Sequence, residues 1–426
     1  MKRVVIVVLS GVLAVLALTG ASAAPVPDDP NDAVRKAEYW LDAYGIRDAW
    51  STTRGAGVKI AIIDTGIGHA PELDPAVVGG TDESGVGSSD GRTPVGAVDA
   101  SHGSWVGSLA AARGTGGGKG MIGVAPEAGL LAISVGFGTT SQVSFTTQVA
   151  SAMRWAVDHG AKVINLSFTT NTLDWDQSWD DAFLYAYEHD VVVVVAAGNR
   201  GSGTTRVGAP ATIPGVLTVG GVDPTGKASI EASTQGITIG VSAPSEQLLG
   251  VSANGDVVTW NGTSGAAPIV AGIVALVRAA HPDLDANNVI ERIIKTARPA
   301  EDAKSVPDAI YGYGLVDAAA AVSATNVPTV KANPMGSLQD WIRLYRRANT
   351  QTTAPTPSAT PVTVPALPRA DAVTRAGSPL LPSPGSLLYG TVPLLAVTVP
   401  AILVALGVTA AVRRIRSARH TRPPSS

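Results

Sequence analysis

The sequence contains no cysteine. This absence excludes a cysteine nucleophile, a zinc site built from thiolates, and disulfide bonds. A folded domain in this chain must therefore be stabilised by packing alone or with help from a bound ion. Charged residues are also scarce, at 15 % of the 426 residues, and aromatic residues make up only 5 %. Apolar residues, at 45 %, are abundant enough for a large core and for membrane segments.

The net charge of −3 at pH 7 is unevenly distributed. Lys2 and Arg3 lie at the N-terminus, and the C-terminal tail contains a cluster of arginines: Arg413, Arg414, Arg416, Arg419 and Arg422. Without these basic ends the middle of the chain carries about −10, which repels nucleic acid. We therefore expect no nucleic-acid partner.

Residues 1–24 have the features of a signal peptide. A basic start precedes the apolar run Val4 to Leu18, and Ala21-Ser22-Ala23 fits the small-x-small rule for cleavage. The run is too short for a comfortable transmembrane helix, although an uncleaved N-terminal anchor is the alternative. The pattern predicts a secreted protein.

A second apolar stretch, 387–412, carries no charge and is long enough to span a bilayer. Pro393 and Pro400 interrupt it, which a transmembrane helix tolerates. The arginine-rich residues 413–426 follow at once, and the positive-inside rule predicts that they form a cytoplasmic tail. The sequence thus predicts a single-pass protein of the cell membrane, with its folded domain extracellular and the lipid bilayer contacted through this helix.

Three segments lie between the predicted signal peptide and the predicted membrane helix. Residues 25–37 form a short N-terminal extension, 38–325 the folded domain, and 326–386 a stalk rich in Pro, Thr and Ala that cannot bury a core. Within the stalk, 337–348 has the pattern of a short amphipathic helix. Its apolar side is expected to pack on the domain.

The folded domain alternates short β-branched runs with helical segments. Six runs are apolar almost throughout, as in strands buried on both faces: Val58–Ile63, Leu130–Val135, Lys162–Leu166, Val191–Ala196, Val216–Val219 and Ile237–Val241. Helices are expected near 102–112, 143–159 and 177–188. This order predicts an α/β fold with a doubly wound, mostly parallel sheet, in which functional side chains gather at the carboxyl ends of the strands.

Four polar residues stand where such a sheet concentrates chemistry. Asp64 follows the first run and Asn199 follows the fourth, while His102 and Ser264 each open an apolar helix. Each residue alone has an ordinary explanation, as a turn Asp or Asn, a surface His, or a Ser that caps a helix. His69 is a rival for His102, but it lies in a Pro-containing loop shortly after Asp64.

The motifs around these residues are more specific than the residues themselves. They are, in chain order, Ile-Asp-Thr-Gly-Ile, His-Gly-Ser-x-Val, Ala-Ala-Gly-Asn and Gly-Thr-Ser-Gly-Ala-Ala-Pro. The set resembles the subtilisin-like serine proteases across residues 38–325, and the order Asp, His, Ser is that of subtilisin. Val163–Ser167 resembles the family's substrate-binding segment, and Tyr313–Asp317 resembles the motif that closes its domain.

The resemblance implies a serine endopeptidase that hydrolyses polypeptides. Ser264 would be the nucleophile, His102 the general base and acid, and Asp64 the residue that orients the imidazole. Asn199 and the backbone N–H of Ser264 would form the oxyanion hole. Substrate would add as a strand between two segments, whose predicted contact residues are Gly136 and Gly138 on one side and Asn165, Leu166, Ser167 and Phe168 on the other.

Several neighbours of these residues depart from the family pattern. Trp105 stands where His is frequent, and Ser104 where Thr is usual. Gly265 replaces the usual Met, and Thr169 replaces a usual Gly. None of these is a reacting group. We expect Trp105 and Gly265 to alter packing beside the reacting groups, and Thr169, with Phe168, to alter substrate preference.

The predicted reaction requires no cofactor and no metal. Members of the family often bind a structural calcium ion, but Asp82, Glu83 and Asp90 lack the dense ligand spacing of a calcium loop. Calcium binding is therefore unsupported by the sequence. Residues 25–37 are also too few for the folded pro-domain that many members carry.

The order of signal peptide, protease domain, Pro-rich stalk, single span and basic tail resembles the mycosins, the membrane-anchored subtilisin-like proteases of actinobacterial secretion systems. This resemblance lies in layout more than in motif. It makes association with a secretion system one hypothesis, beside a general degradative or maturation role.

Two other interpretations fit parts of the sequence. Gly262–Ala266 approaches the Gly-x-Ser-x-Gly elbow of an α/β-hydrolase esterase, but that fold needs its Asp and His after the Ser, and only His281 and His420 follow. The second alternative is a catalytically impaired surface binding protein on a subtilase fold, motivated by Trp105 and Gly265. The intact Asp, His, Asn and Ser argue against it.

Overall fold

The computed structural model describes residues 27–96, 99–137, 141–346, 370–372, 400, 403, 406–411 and 413. The predicted signal peptide and most of the predicted membrane helix, 387–412, lie outside the described residues. The positions of 387–412 that are described are helical. Among all described residues, the single helix long and apolar enough to cross a membrane is Thr263–Ala280, and it is largely buried inside the domain.

A seven-stranded parallel sheet forms the centre of the described domain. In chain order its strands are β1 Lys59–Asp64, β2 Val77–Asp82, β3 Gly129–Ser134, β4 Val163–Leu166, β5 Val192–Ala196, β6 Leu217–Val222 and β7 Ile239–Pro244. Their order across the sheet is β2-β3-β1-β4-β5-β6-β7, and every neighbouring pair is parallel. The predicted α/β fold with a mostly parallel sheet is confirmed, and all six predicted strands are present.

Strand β5 shows why the apolar runs are continuous rather than alternating. Val192 and Val194 pack into one core, and Val193 and Val195 pack into a second core on the opposite face of the sheet. Successive side chains of a strand point to opposite faces. A strand covered on both faces therefore needs an apolar residue at every position.

Helices cover the two faces of the sheet. The described helices are α1 Ala33–Ala37, α2 Trp40–Ala43, α3 Ile46–Ala49, α4 His102–Ala111, α5 Phe145–Asp158, α6 Gln177–Glu188, α7 Thr263–Ala280, α8 Ala286–Lys295, α9 Ala318–Ser323 and α10 Leu338–Tyr345, with a 3₁₀ turn at Arg200–Ser202. Helices α4, α7, α8 and α9 contribute to the larger core, and α5, α6 and α10 to the second. The three helices predicted near 102–112, 143–159 and 177–188 are confirmed as α4, α5 and α6.

The strand order places a crevice beside β1. This strand lies between β3 and β4, so the chain extends the sheet first on one side of β1 and then on the other. Connections diverge at such a switch point, and ligands of α/β proteins bind in the crevice that results. Asp64 ends β1, and Leu166, which ends β4, pairs with the preceding residue Ile63. The predicted residues Asp64 and Leu166 thus lie at this crevice.

Four strands were not among the predicted elements. Strand β2 contains the pair Gly79-Gly80, which dilutes its apolar pattern. Strands β8 Leu248–Val251 and β9 Val257–Trp260 form an antiparallel hairpin, to which β10 Ala370–Ala372 adds on the free side of β9. The hairpin ends in β9 immediately before helix α7 and therefore helps to position the start of that helix.

Helix α10 lies within the predicted amphipathic segment 337–348 and packs on α6. The Trp341 ring packs against Trp175 in a tilted arrangement at 4.3 Å between centroids, and Arg346 forms an ion pair of 2.7 Å with Asp180. Residues 326–346, which the sequence places in the stalk, therefore continue along the surface of the domain.

The far end of helix α7 is fixed by an ion pair in which the arginine is buried and the aspartate is partly exposed. Arg278, whose side chain is 5 % exposed, donates from its two terminal nitrogens to the side chain and the carbonyl of Asp190 at 2.8 and 2.7 Å. Asp190 also accepts from the Ala286 N–H that begins α8. Burial alone would raise the pKa of the Asp190 carboxyl, but the Arg278 hydrogen bonds and charge and the Ala286 N–H together lower that pKa below its ordinary value.

We expect Asp190→Asn to lower the free energy of unfolding at pH 7 by about 1–2 kcal/mol, a figure reduced because Asp190 is partly exposed. Asn tolerates the positive φ of 60° at this position, so the backbone should persist. A group with a depressed folded pKa stabilises the fold above its unfolded pKa of about 3.9 and loses this effect as pH falls through the folded pKa. Urea unfolding should therefore show the two proteins converging below about pH 4.

Lys162→Gln is the control for this prediction, since it removes only the exposed partner of Asp190 at 3.3 Å. It should leave stability nearly unchanged. A deficit in Asp190→Asn that stayed constant from pH 7 to pH 3 would show that the ion pair is not its cause.

Candidate active site

Asp64 and His102 form a buried pair at the carboxyl end of β1. The two side chains are fully buried, and Nδ1 of His102 donates to Oδ1 of Asp64 at 2.8 Å. The same carboxylate oxygen accepts from the Thr65 N–H at 2.7 Å. Nε2 of His102 has no hydrogen-bond partner among the described residues. The imidazole is therefore oriented through Nδ1 and presents Nε2 for another group.

Glycine at 103 allows this pair to form. A Cβ on Gly103 would stand 2.3 Å from the carbonyl oxygen of Gly66, so only glycine permits helix α4 to approach the turn after β1 this closely. The Thr65 hydroxyl accepts from the Gly103 N–H at 2.8 Å and ties the two segments together. The His-Gly dipeptide thus has a direct structural cause.

Two indole rings, which we call the tryptophan pair, enclose the His102 imidazole. The ring centroids of Trp105 and Trp260 lie 6.0 and 5.6 Å from His102, both in edge-on arrangements. The Trp105 Nε1–H donates to the Ser252 hydroxyl at 2.9 Å. Edge-on aromatic contacts are favourable, and the tryptophan pair fixes the plane of the imidazole ring.

Ser264 is the second residue of α7 and is held by reciprocal hydrogen bonds to Ser167. The Ser264 hydroxyl donates to the Ser167 carbonyl at 2.9 Å, and the Ser167 hydroxyl donates to the Ser264 carbonyl at 2.8 Å. Asn165 donates in turn to the Ser167 hydroxyl at 2.9 Å. The predicted nucleophile is therefore hydrogen-bonded to the residue that follows β4. In this structure its hydroxyl is directed to Ser167 and not to His102.

Asn199 caps the start of helix α7. Its Oδ1 accepts from the backbone N–H of Thr263 at 2.7 Å and from the Thr263 hydroxyl at 2.9 Å. Because Oδ1 is used in this way, the donor Nδ2 is directed elsewhere, and it has no acceptor among the described residues. The N–H of Ser264 lies in the first turn of α7, where helical N–H groups have no partner within the helix. Two donors are thus available beside Ser264.

The predicted substrate-binding residues lie on two adjacent segments. Asn165 and Leu166 are buried in β4, and Ser167 and Phe168 follow it. The Gly136 N–H donates to Gln148 at 2.7 Å, and Gly138 lies outside the described residues. Phe137, which follows Gly136, packs against Phe168 with 5.5 Å between the ring centroids, so the two segments are in contact.

Other acidic and histidine positions are occupied by different contacts. His69 is 70 % exposed and contacts Asp74, so it is not a partner of Asp64. The carboxylate of Asp82 accepts from the Ser84 and Ser134 hydroxyls at 2.5 and 2.7 Å. The described ranges contain no group of three or more His, Asp or Glu residues suited to a metal.

The sequence did not single out Trp260 or Thr263 as parts of the site. Trp260 contacts the predicted base, and Thr263 donates from its N–H and its hydroxyl to the amide oxygen of Asn199, which the sequence assigned to the oxyanion hole. Asn254-Gly255 between apolar runs is a hairpin signal that could have revealed β8 and β9, and with them the position of Trp260. No comparable signal identifies the Thr263 contact.

The space that a side chain at position 265 would need is already filled. A Cβ on Gly265 would stand 2.3 Å from Cδ1 of Leu248 and 3.3 Å from the Trp260 indole. We expect Gly265→Met to lower the free energy of unfolding by about 1–3 kcal/mol through overpacking. Combining it with Leu248→Ala should cost less than the sum of the two single changes, because the cavity and the added side chain compensate. Denaturant unfolding of all four proteins measures this coupling.

Leu249→Ala combined with Gly265→Met is the control cycle, since Leu249 is not among the nearest contacts of position 265. Strict additivity in the Leu248 cycle would show that this leucine does not fill the space beside Gly265.

Comparisons with known proteins identify the family of this chain. The model of the subtilase family, Peptidase_S8, matches residues 55–314. Mycosin-4 of Mycobacterium tuberculosis is 32 % identical over 366 residues, which are 77 % of this chain and 74 % of that protein. Subtilisin DY of Bacillus licheniformis is 36 % identical over 279 residues, 63 % of this chain and 92 % of that protein.

A solved protease structure is also similar to this chain. The MycP3 protease from the type VII (ESX-3) secretion system superposes with a TM-score of 0.58 at 32 % identity, covering 70 % of this chain and 92 % of that one. The family match spans more than half of the sequence and includes Asp64, His102, Asn199 and Ser264. The chain belongs to the subtilase family and is a subtilisin-like serine protease.

Proposed function

We propose that Ser264, His102 and Asp64 are the catalytic triad of this protease and that it acts on polypeptides as an endopeptidase. The observation that supports this most is the buried Asp64–His102 hydrogen bond of 2.8 Å together with an Nε2 that no other described residue uses. An imidazole oriented by a carboxylate and open at Nε2 is what a serine nucleophile needs as its base.

The proposed reaction uses these groups in sequence. The Ser264 hydroxyl leaves the Ser167 carbonyl and gives its proton to Nε2 of His102 as Oγ attacks the scissile carbonyl carbon. Asp64 stabilises the imidazolium that forms. The tetrahedral intermediate collapses, the C–N bond breaks, and His102 returns the proton to the leaving amine. Water then attacks the acyl-enzyme with His102 again as base.

The oxyanion of each tetrahedral intermediate would be stabilised by Nδ2 of Asn199 and the N–H of Ser264. Both donors are fixed before substrate binds, the first by its Thr263 contacts and the second by its place in α7. The positive end of the helix macrodipole adds to their effect. Substrate backbone would lie between the segment at Gly136 and the segment Leu166–Phe168.

The test is labelling by a fluorophosphonate probe, which reacts only with an activated serine. The full chain should be labelled and should cleave a broad fluorogenic peptide library, whereas Ser264→Ala should do neither, because the attacking hydroxyl is gone. Ser144→Ala is the matched control. Ser144 also stands at the start of a helix, where its hydroxyl accepts from Thr147, and removing it should leave labelling intact.

A second candidate function has one observation in its favour. The Ser264 hydroxyl is directed to Ser167, as it would be in a catalytically impaired binding protein with a protease fold. Hydrogen bonds of a catalytic group often tighten only when substrate binds, so an active protease can show the same contact before substrate is present. If folded wild-type protein were neither labelled by the fluorophosphonate probe nor able to cleave peptides, the chain would be a binding protein rather than an active protease.

We also propose that the protease is anchored in the cell membrane through 387–412, after export directed by 1–24, with its domain outside. The uncharged stretch and the arginines after it support this topology. MycP1 and MycP3 are described as proteases of type VII secretion systems. With the resemblance in layout, this supports association of the present protein with a secretion system.

Extraction of membranes with alkaline carbonate tests the anchor. The full chain should remain in the membrane pellet, because a spanning helix is released only by detergent. A chain ending at residue 386 should move to the soluble fraction. Recovery of the full chain in the carbonate supernatant would refute the anchor while leaving the protease assignment intact.

A further inference from the structure

Two backbone segments flank the point where a scissile carbonyl must lie. One segment continues β4 to Ser167, whose carbonyl is 2.9 Å from the Ser264 hydroxyl. The other continues β5 to Asn199, which caps helix α7. A carbonyl within reach of the Ser264 hydroxyl and of Nδ2 of Asn199 lies between these segments. If Ser264 attacks this carbonyl as proposed, the residue on the acyl side of the scissile bond lies beside the gap between the two segments, which we call the acyl slot.

Threonine methyl groups already fill the acyl slot. Gly198 leaves one wall of it without a side chain, yet a Cβ there would stand 2.8 Å from Cγ2 of Thr169 on the opposite segment and 2.6 Å from Cγ2 of Thr204. Thr169 is 5 % exposed and Thr204 is 1 % exposed. The two segments therefore touch across the slot, with no opening for a further large group.

Thr169 is held in this position by hydrogen bonds. Its hydroxyl lies 3.1 Å from the carbonyl of Gly208, 3.2 Å from that of Thr170 and 3.5 Å from that of Ala209. The N–H of Thr170 also donates to the Ala209 carbonyl at 2.7 Å. A β-branched side chain bonded in this way has little rotamer freedom, so the methyl group cannot turn out of the slot.

Resting on the proposed function, we infer that Thr169 and Thr204 determine specificity and restrict cleavage to bonds that follow a small residue, such as Gly, Ala or Ser. A large aromatic or aliphatic side chain would have to displace two buried methyl groups. Polypeptide segments rich in small residues are then the class of substrate that this site accepts.

The experiment compares peptide substrates that differ only in the acyl residue, Ala or Phe. For the wild-type full chain we expect kcat/KM to favour Ala by at least about tenfold, the lower range of discrimination between side chains that differ in size. Thr169→Gly should raise kcat/KM for Phe by about tenfold and change that for Ala little, which inverts or abolishes the preference.

Two further variants keep the test decisive. Thr169→Ser removes the methyl group and keeps the hydroxyl contact with Gly208, so it should shift the preference in the same direction even if Thr169→Gly folds poorly. Thr170→Ser is the control, because the Thr170 hydroxyl bonds to Thr172 rather than entering the slot, and the preference should not change.

A wild type that cleaves after Phe as efficiently as after Ala would overturn the inference, and so would an unchanged preference in both Thr169 variants. Fluorophosphonate labelling distinguishes failure of the inference about the acyl slot from failure of the proposed function. Labelled protein without a preference for small residues refutes only the acyl slot, whereas folded protein that is never labelled refutes the triad and the slot together.

Discussion

The first turn of helix α7 is the constraint on which the rest of the site depends. Asn199 bonds to Thr263 there, and Ser264 and Ser167 exchange hydrogen bonds. These contacts join the ends of β4 and β5 to one helix, whose opposite end is fixed by Arg278. A shift of the helix would move Ser264 with its N–H and would break the contacts that hold Asn199, and the proposed mechanism uses all of these groups. Positioning of this kind supplies much of the rate of an enzyme, and it explains why the site lies on a rigid, buried helix.

The sequence predicted the parts of the structure that arise from local pattern. Six strands follow from continuous apolar runs, because a strand covered on both faces tolerates no polar position. Strand β2 was missed since its two glycines weaken that pattern. The positions of Asp64 and His102 were predictable from strand order and motif. The direction of the Ser264 hydroxyl was not, because it depends on a contact with Ser167, which is far away in sequence.

The substrate preference inferred from the acyl slot could not be predicted from the sequence either, because it also depends on contacts between residues that are distant in sequence. The sequence marked Thr169 as unusual, but it could not show where the methyl group lies. That position depends on Thr204 and Gly208, which reach the slot from a different connection of the chain. Substrate preference therefore depends on how the segments containing Thr169, Gly198 and Thr204 pack together. The motifs around the proposed triad residues, in contrast, are short stretches that can be found in the sequence.

The departures at Trp105 and Gly265 are best understood as parts of one packing arrangement rather than as signs of lost activity. The Trp260 indole occupies space beside Gly265 and also contacts His102, and Trp105 packs against Trp260 at 5.6 Å between centroids. A large side chain at 265 would compete with that indole. The absence of a side chain at 265 thus permits the tryptophan pair, and the pair in turn fixes the imidazole that the proposed mechanism needs. Replacing either Trp105 or Gly265 alone with the usual family residue would disturb the packing around His102. The two departures therefore form one structural unit.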